Sequence, residues 1–220
     1  LINRYAIGSF AVGNMSIRQQ EALGVTKSKI FLLPYSYPGL APSGNLDEKI
    51  HSFAKGRRIF MFLGELSKRK ASDILINAFS NIKGEDWALV MIGRDTKEIN
   101  VNSLIKTNEL NDRVLIYGEI NYKNIKNCLN LCDVFILPSV FDGWGAVLNE
   151  AASLGKPLIS TNMCGASEHL IRNNVNGFIV NSKSVKSLMI AMQKYTNNEN
   201  LIDLHGAQSM EILKEYTVNE

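Results

Sequence analysis

Two carboxylates and two glycines lie where an apolar run gives way to a helical pattern. In "PSVFDGWGAVLNEAASLGKP" (138–157), Asp142 and Glu150 are eight positions apart, with Gly143 and Gly145 between them. We expect a helix to begin near Gly145 or Ala146, where its unpaired N–H groups and partial positive charge favour an anion such as phosphate. Gly143 and Gly145 carry no side chain that would keep a ligand from these donors. The flanking carboxylates can accept hydrogen bonds from hydroxyl groups. The stretch therefore predicts a site for a ligand that is both phosphate and polyol, such as a nucleotide-sugar.

A second polar stretch, "GELSKRK" (64–70), follows another apolar run. Gly64 lacks a side chain, so the backbone there can approach a ligand closely. A diphosphate that leaves water needs cations, and arginine and lysine supply them with different geometry. We expect Arg69 and Lys70 to bind phosphate if the fold brings them next to the 142–150 stretch.

Short apolar runs alternate with segments of helical spacing such as "SDILINAFSNI" (72–82). Several runs are apolar throughout, which is typical of strands that are covered on both faces. This alternation predicts an α/β fold with a doubly wound, Rossmann-like parallel sheet, in which ligands bind beyond the carboxyl ends of the strands. The runs cover 58–64, 87–93, 113–118, 133–138, 156–160 and 176–180.

The ends of the chain differ from its centre. Residues 1–37 read as the tail of a preceding domain and a linker strand, and 38–50 has the Pro, Gly and Ser content of a connection. We expect a Rossmann-like domain over 38–198 and a C-terminal helix over 199–220. The first residues, "LINRYAIGSF", have neither an initiator methionine nor a signal-peptide pattern. This start favours a fragment of a longer protein.

Composition argues against several classes of function. A formal net charge of +3 over 220 residues is small for a protein that binds nucleic acid or an anionic membrane. No apolar run approaches the ~20 residues that a membrane-spanning helix needs. Three cysteines indicate reduced thiols and a cytoplasmic location. Cys128 and Cys132 are expected to pack in a core rather than bind metal, because no other Cys or His falls at ligand spacing.

These motifs resemble the C-terminal, donor-binding domain of GT-B fold retaining glycosyltransferases, most closely the family 4 group. That family carries a Glu-x7-Glu motif in a "PS…EGFG…EA…GKPVI" setting, and here the motif stands as Asp142-x7-Glu150. The similarity runs through nearly the whole chain. The matching pieces are "FLGELSKRKASDILINAF", "ALVMIG", "DRVLIYGEI", "LCDVFILPSVFDGWGAVLNEAASLGKPLIS" and "GASEHLIRNNVNGFIV".

The resemblance implies the C-terminal half of a two-domain hexosyltransferase that needs no metal. The enzyme would transfer a sugar from a UDP- or GDP-sugar to a hydroxyl acceptor, in polysaccharide or glycan synthesis, in the cytoplasm or at the inner face of the membrane. The N-terminal domain would hold the acceptor, a glycan or a lipid-linked sugar, and part of the catalytic apparatus. This piece alone is therefore expected to bind nucleotide without appreciable transfer.

The resemblance also implies roles for individual residues. Glu150 would bind the ribose hydroxyls, Asp142 would contact the transferred sugar, and Lys70 matches the phosphate-binding lysine of the family. Ile120, in "GEI", is a candidate contact for the base. The backbone N–H groups that would meet the sugar and the diphosphate are those of Gly143, Trp144, Gly145 and Ala146.

One family residue is replaced. An arginine often follows the glycine of the family's "GRL", and this sequence has Glu65 there. Arg69, four positions on, is expected to supply that cation, and Glu65 is expected to be structural. Asp142 in place of the first glutamate shortens that side chain by one methylene and changes its hydrogen-bonding reach.

Simpler structural roles remain open for the same residues. Asp142 could be the N-cap of the following helix, since aspartate is favoured there. Glu150 could be an exposed helix residue, because its apolar neighbours already define a buried face. Trp144 could simply pack, and Glu168 in "GASEHL" could cap a helix or lie near a helix N-terminus.

Other functions also remain open. A nucleotide- or sugar-phosphate-binding module without chemistry, and a nucleotide-sugar epimerase of the same fold, are alternatives. A dinucleotide oxidoreductase is disfavoured because its G-x-G-x-x-G fingerprint is absent. "GELSKRKAS" has a single glycine, and "GWGAVLN" lacks the third.

Overall fold

The first unit of the fold is small and α/β in character. The computed structural model describes residues 2–33, 35 and 47–216, so most of the connection expected over 38–50 lies outside the described residues. Strand β1 pairs in parallel with β2, and a helix crosses between them. The elements are α1 (Ile2–Tyr5), β1 (Ser9–Ala11), α2 (Asn14–Ala22), a 3-10 turn (Lys27–Lys29) and β2 (Ile30–Leu32).

The main body contains a six-stranded parallel sheet. Its strand order is β5-β4-β3-β6-β7-β8, and every neighbouring pair is parallel. This confirms the fold class expected from the sequence, with strand ends that differ by one or two residues. The strands are β3 (Arg58–Leu63), β4 (Trp87–Ile92), β5 (Val114–Gly118), β6 (Val134–Leu137), β7 (Leu158–Thr161) and β8 (Gly177–Val180).

Helices cover both faces of the sheet. One group packs α4 against α5 and α9, and another packs α7 against α8 and α10. Right-handed crossovers that run in opposite directions from the middle of a sheet place their helices on opposite faces. The helices are α3 (Glu48–Ala54), α4 (Ser72–Phe79), α5 (Val101–Thr107), α6 (Ile125–Asn130), α7 (Val147–Ser153), α8 (Ser167–Leu170), α9 (Val185–Asn197) and α10 (Asn200–Leu213), with 3-10 turns at Tyr122–Asn124 and Lys214–Tyr216.

The core explains why these strands lack alternation. Every residue of β4 and β6 is buried, as expected for central strands covered by helices on both sides. Phe60 stacks on Trp87 at 4.2 Å between ring centroids and meets Phe79 edge-on at 6.3 Å. Burying one such ring contributes roughly 1.5–3 kcal/mol. The predicted packing of Cys128 and Cys132 is also found, since both are buried free thiols.

The order in which the chain adds strands to the sheet reverses between β3 and β6. From β3 the chain adds β4 and β5 on one side, then returns to β6 and adds β7 and β8 on the other. Ligands bind doubly wound sheets in the crevice at such a switch point. The loops after β3 and β6, which carry 64–70 and 138–145, therefore border the same crevice.

Candidate functional site

Lys70 and Asp142 meet across the switch point. Their Nζ and Oδ2 atoms are 2.5 Å apart, and each side chain is only 13% exposed. Asp142 does not cap α7, whose N-cap position is Ala146 without a side-chain hydrogen bond, so the N-cap role is wrong for Asp142. A shielded carboxylate beside a shielded ammonium group gives the crevice one acceptor and one cation within reach of the same ligand.

Backbone hydrogen bonds hold this pair in place. The N–H of Val140 donates to the carbonyl of Arg69 at 2.8 Å, which joins the loop after β6 to the loop after β3. The N–H of Asp142 donates to the carbonyl of Met163 at 3.0 Å, and Gly165 donates to the carbonyl of Asp142 at 3.0 Å. The aspartate is thus anchored to the loops after β3 and β7.

Arg69 does not share the position of Lys70. Its side chain is 52% exposed, and its guanidinium lies 3.7 Å from a carboxylate oxygen of Glu65. The other oxygen of Glu65 pairs with Arg94 at 2.5 Å. Glu65 thus lies between two arginines on the rim of the crevice. Arg94 was not singled out from the sequence, although it follows β4 in the same way that Glu65 follows β3.

A cavity of about 400 Å³ opens at the carboxyl ends of β3, β4 and β5. The sequence predicted two of its lining residues, Gly64 and Ile120, as ligand contacts, and the structure places both there. The walls are apolar and the rim carries charge, which suits a flat ring with a polar edge. The remaining lining residues are Leu63, Glu65, Ile92, Gly93, Arg94, Glu119, Tyr122 and Ile125.

Glu150 is buried in α7 at 8% exposure, so its assignment as an exposed helix residue is wrong. Burial raises the pKa of its carboxyl group, because a low-dielectric environment disfavours the charged form. No described residue forms a hydrogen bond or ion pair with this side-chain carboxyl group. A buried acid without a partner is costly to stability and is therefore a candidate for ligand binding.

Gly143 and Gly145 lack a side chain for different structural reasons. A Cβ at Gly143 would meet nothing within 4 Å, so this position is open as expected. Gly145 has φ +93°, and a Cβ there would lie 2.6 Å from Cys164 Sγ and 2.8 Å from Leu137 Cδ2. Its missing side chain faces the protein rather than the crevice. Gly145 is thus a packing requirement, which corrects the expectation that it leaves room for a ligand.

The turn before α7 keeps backbone donors available. Leu148 and Asn149 are the first N–H groups to bond within it, to the carbonyls of Gly145 and Ala146 at 2.9 Å each. Within the described ranges, the N–H groups of residues 143–147 donate to no other residue. This stretch includes each backbone donor that the sequence assigned to the ligand.

Trp144 is packed rather than open. It is 8% exposed, and its indole N–H donates to Asn149 Oδ1 at 2.9 Å. Its ring stacks on Tyr35 at 5.5 Å between centroids and lies 5.2 Å from the ring of His169. The packing role left open for Trp144 is the one observed, while its backbone N–H donates to none of the described residues.

The first unit of the fold docks next to this motif. Arg18 forms a bidentate ion pair with Glu168, at 2.5 and 3.1 Å, and the N–H of Asn14 donates to His169 Nε2 at 3.2 Å. Glu168 lies in the first turn of α8, which agrees with the expected position near a helix N-terminus. Tyr35 and His169 were missed at the sequence level because they contact Trp144 only through the tertiary fold.

Two kinds of feature are absent from the described ranges. No group of three or more His, Cys, Asp or Glu side chains there is arranged to hold a metal ion. No helix within these residues combines the length and the apolar character needed to cross a bilayer.

Comparison with known families identifies the chain. The family model for glycosyl transferases group 1 matches residues 45–215, which include both loops of the switch point and α7. The chain belongs to this family. The family carries the GT-B fold, so the resemblance drawn from the Asp142-x7-Glu150 motif is confirmed at the level of family and fold.

The relatives of the chain include two bacterial glycosyltransferases with specific names. The capsular polysaccharide biosynthesis glycosyltransferase CapM of Staphylococcus aureus is 29% identical over 170 residues, 74% of this chain and 43% of the relative. A UDP-Gal:alpha-D-GlcNAc-diphosphoundecaprenol alpha-1,3-galactosyltransferase of Escherichia coli is 29% identical over 164 residues, 71% of this chain and 41% of the relative. The chain thus spans less than half the length of these relatives.

Solved structures share the fold. HepE of Anabaena in complex with UDP superposes with a TM-score of 0.86 at 19% identity, covering 98% of this chain and 61% of that one. A glycosyltransferase from Rickettsia africae superposes with a TM-score of 0.81 at 21% identity, over 98% and 61% of the two chains. These likenesses establish the architecture of the chain.

Proposed function

We propose that this chain is the donor-binding part of a retaining glycosyltransferase. The enzyme transfers a hexosyl group from a UDP- or GDP-sugar to a hydroxyl acceptor. The observation that carries the proposal is the shielded Lys70–Asp142 pair at the switch point. Glu150 lies in the first turn of α7, the helix that follows the loop of Asp142, and its carboxyl group pairs with no described residue. The three side chains are a cation for phosphate and two acceptors for hydroxyl groups, as a nucleotide-sugar requires.

Each part of the donor has a matching part of the crevice. The base enters the 400 Å³ cavity beside Ile120, where Gly64 lets the backbone come close. Glu150 accepts hydrogen bonds from the ribose hydroxyls. Lys70 and the free N–H groups of 143–146 meet the diphosphate and the sugar, and Asp142 accepts from a sugar hydroxyl.

The chemical contribution of this part is electrostatic. Transfer breaks the bond between the anomeric carbon and the diphosphate oxygen, and a bond to the acceptor oxygen forms. Negative charge grows on the diphosphate as it leaves. Lys70 neutralises that charge in a shielded crevice, where such an interaction is worth more than in water. Arg69 is a longer-range contributor, because its side chain is half exposed and already paired with Glu65.

The donor frees Lys70 from Asp142. In the structure these two side chains neutralise each other. A bound diphosphate offers Lys70 a more strongly negative partner, and Asp142 then turns to a sugar hydroxyl. The ion pair thus keeps both groups ordered and shielded until the donor arrives.

The acceptor and the location follow from the relatives. The printed names of two relatives concern capsular polysaccharide and a diphosphoundecaprenol-linked sugar. We propose a glycan or lipid-linked sugar as acceptor, bound by a part of the protein outside this chain, and a donor site in the cytoplasm. The three buried free cysteines agree with a reducing compartment. No metal takes part in the proposed transfer.

A calorimetric titration tests the proposal. The 220-residue chain is titrated with UDP, GDP and ADP, as wild type and as Lys70→Ala and Glu150→Ala. UDP or GDP should bind, and each substitution should weaken binding by about 10–100-fold, the equivalent of a lost charged hydrogen bond. Lys68→Ala is the matched control, since Lys68 is exposed two positions away.

Two results contradict the proposal. One is that none of the three nucleotides binds. The other is that Lys70→Ala and Lys68→Ala have equal effects. The chain alone is expected to bind nucleotide without appreciable sugar transfer, so robust turnover by these 220 residues would contradict the assignment of the acceptor site to another part of the protein.

A further inference from the structure

A tyrosine from the connection between the two units lies against the donor motif. The ring of Tyr35 stacks on Trp144, with centroids 5.5 Å apart and planes 24° from parallel. Offset stacking of this kind contributes about 0.5–1.5 kcal/mol beyond the area that it buries. Tyr35 is thus part of the same packed unit as the motif, although it belongs to a distant part of the chain.

The Tyr35 side chain is within electrostatic range of Glu150. Burial raises the pKa of Tyr35, and interactions with Glu150 and Tyr122 raise it further. Tyr122 lines the cavity assigned to the base. Tyr35 is thus within electrostatic range both of Glu150 and of a residue that lines the cavity.

Trp144 links Tyr35 to α7. Its indole N–H donates to Asn149, the residue that precedes Glu150. The backbone of Gly13 packs tightly on the indole, since a Cβ there would lie 2.9 Å from Trp144 Cζ3. The tryptophan can keep this orientation only while its ring is supported, and the Tyr35 ring supplies part of that support.

We infer that Tyr35 is a positioning residue for the donor site. Its ring supports Trp144, whose indole N–H holds Asn149, so that the carboxylate of the next residue, Glu150, stays oriented toward the ribose hydroxyls. The inference rests on the proposed function, because it takes Glu150 as the ribose acceptor. It adds a residue outside the 138–157 motif to the donor site. It assigns the positioning of Glu150 to the ring of Tyr35 rather than to its hydroxyl group.

The test measures selectivity for ribose hydroxyls. UDP and GDP are titrated beside their 2′,3′-dideoxy counterparts into wild type, Tyr35→Ala and Tyr35→Phe. Wild type should prefer the ribonucleotide by about tenfold or more, as for a lost hydrogen bond to a charged group. In Tyr35→Ala the ratio of the affinity for the ribonucleotide to that for the dideoxynucleotide should fall to about threefold or less. In Tyr35→Phe the ratio should equal that of wild type, because the stack on Trp144 remains.

A ratio of affinities separates positioning from general stability. A merely loosened fold weakens both nucleotides alike and leaves the ratio unchanged. Tyr5→Ala is the matched control, because Tyr5 is 72% exposed in the first unit of the fold. Thermal unfolding of each variant shows that the folded state is the one titrated.

The outcomes distinguish the two proposals. Ribose selectivity that is lost in Tyr35→Ala and kept in Tyr35→Phe and Tyr5→Ala supports the inference. Selectivity that survives in Tyr35→Ala, or is lost equally in Tyr35→Phe, overturns it and leaves the proposed function intact. Wild type that binds neither UDP nor GDP overturns the proposed function, and the inference fails with it.

Discussion

At the scale of single residues, the candidate site combines an ion pair with a carboxyl group that has no partner among the described residues. Lys70 and Asp142 neutralise each other, whereas Glu150 is 8% exposed and its carboxyl group pairs with none of the described residues. A side chain that destabilises the free protein persists where function needs it. This contrast leads to a prediction in which stability and binding change in opposite directions.

Replacing Glu150 with glutamine should stabilise the free chain and weaken nucleotide binding. The folded-state pKa of Glu150 is raised, so the folded chain loses stability as the pH rises through the ordinary carboxyl range and above it. Glu150→Gln should therefore raise the melting temperature at pH 7, with the difference shrinking toward pH 4. UDP affinity should fall by about tenfold or more. Thermal melts across this pH range and calorimetry measure both effects.

The matched control is Glu21→Gln, because Glu21 is exposed on α2. This change should alter neither the melting temperature nor UDP binding. The prediction is contradicted if Glu150→Gln melts at the wild-type temperature at every pH and binds UDP with unchanged affinity. Glu150 would then neither destabilise the free chain nor contact the nucleotide.

Part of this residue-level picture could be predicted from the sequence. The spacing of Asp142 and Glu150 after an apolar run indicated an acid on each side of a turn. The partner of Lys70 was not predictable, because that contact depends on β3 and β6 being neighbours although β4 and β5 intervene in the chain. Arg69 was expected beside Lys70, yet adjacent side chains of a loop point in different directions.

At the scale of elements, the turn between β6 and α7 decides the shape of the site. Gly143 and Gly145 are two positions apart and face different environments, one open and one packed against Cys164 and Leu137. Sequence alone cannot separate them, because both fit a glycine-rich turn. Only the backbone angle and the neighbouring side chains distinguish a glycine needed for packing from one that leaves an opening.

Alanine at these two glycines should have unequal effects on stability. Gly145→Ala places a Cβ 2.6 Å from Cys164 Sγ at a φ of +93°. It should reduce the free energy of unfolding by about 1–3 kcal/mol through strain and overpacking. Gly143→Ala should leave stability within about 0.5 kcal/mol, since its Cβ meets nothing. Urea unfolding measures both, and equal losses would contradict this description of the turn.

The strands and most helices were predictable for a plain physical reason. Central parallel strands such as β4 and β6 are buried on both faces, so their sequences are apolar throughout. The sequence predicts the start of α7 near Gly145 or Ala146, and the helix begins at Val147 with Ala146 as its N-cap. Predicted and observed helix boundaries differ by a residue or two because the first turn of a helix is partly irregular.

At the scale of the whole molecule, the first unit of the fold is attached next to the 138–157 motif. The ring of His169 lies beside Trp144, and its Nε2 accepts the N–H of Asn14 at the start of α2. A change in how the first unit sits therefore reaches the motif through His169, as well as through the Arg18–Glu168 ion pair and the approach of Gly13 to Trp144. No sequence pattern shows this link, because it joins residues from opposite ends of the chain.

Acidification should loosen this attachment. Burial lowers the pKa of His169; the nearby Arg18 lowers it further, and Glu168 opposes the shift. Because the folded-state pKa is depressed, the stability due to neutral His169 is present above its ordinary pKa near 6.5 and is lost as the pH falls through the folded value. Protonation also removes the acceptor of Asn14, while the phenol of Tyr216 faces the other ring nitrogen.

Hydrogen exchange of α2, corrected for the intrinsic effect of pH, measures this attachment. Opening should increase below about pH 6.5 in wild type. His169→Phe should open α2 at every pH and abolish the pH dependence. The control is His51→Gln, since His51 is exposed on α3. A pH dependence that persists in His169→Phe would assign the effect to another group.

The most direct test of the whole account is a crystal structure of the chain with UDP or GDP bound. We expect the diphosphate within hydrogen-bonding distance of Lys70 Nζ, the ribose hydroxyls on the carboxylate of Glu150, and the base beside Ile120. The Lys70–Asp142 contact should be broken or lengthened. A nucleotide bound elsewhere, or bound at the switch point with Lys70 still paired to Asp142 and Glu150 untouched, would contradict the account.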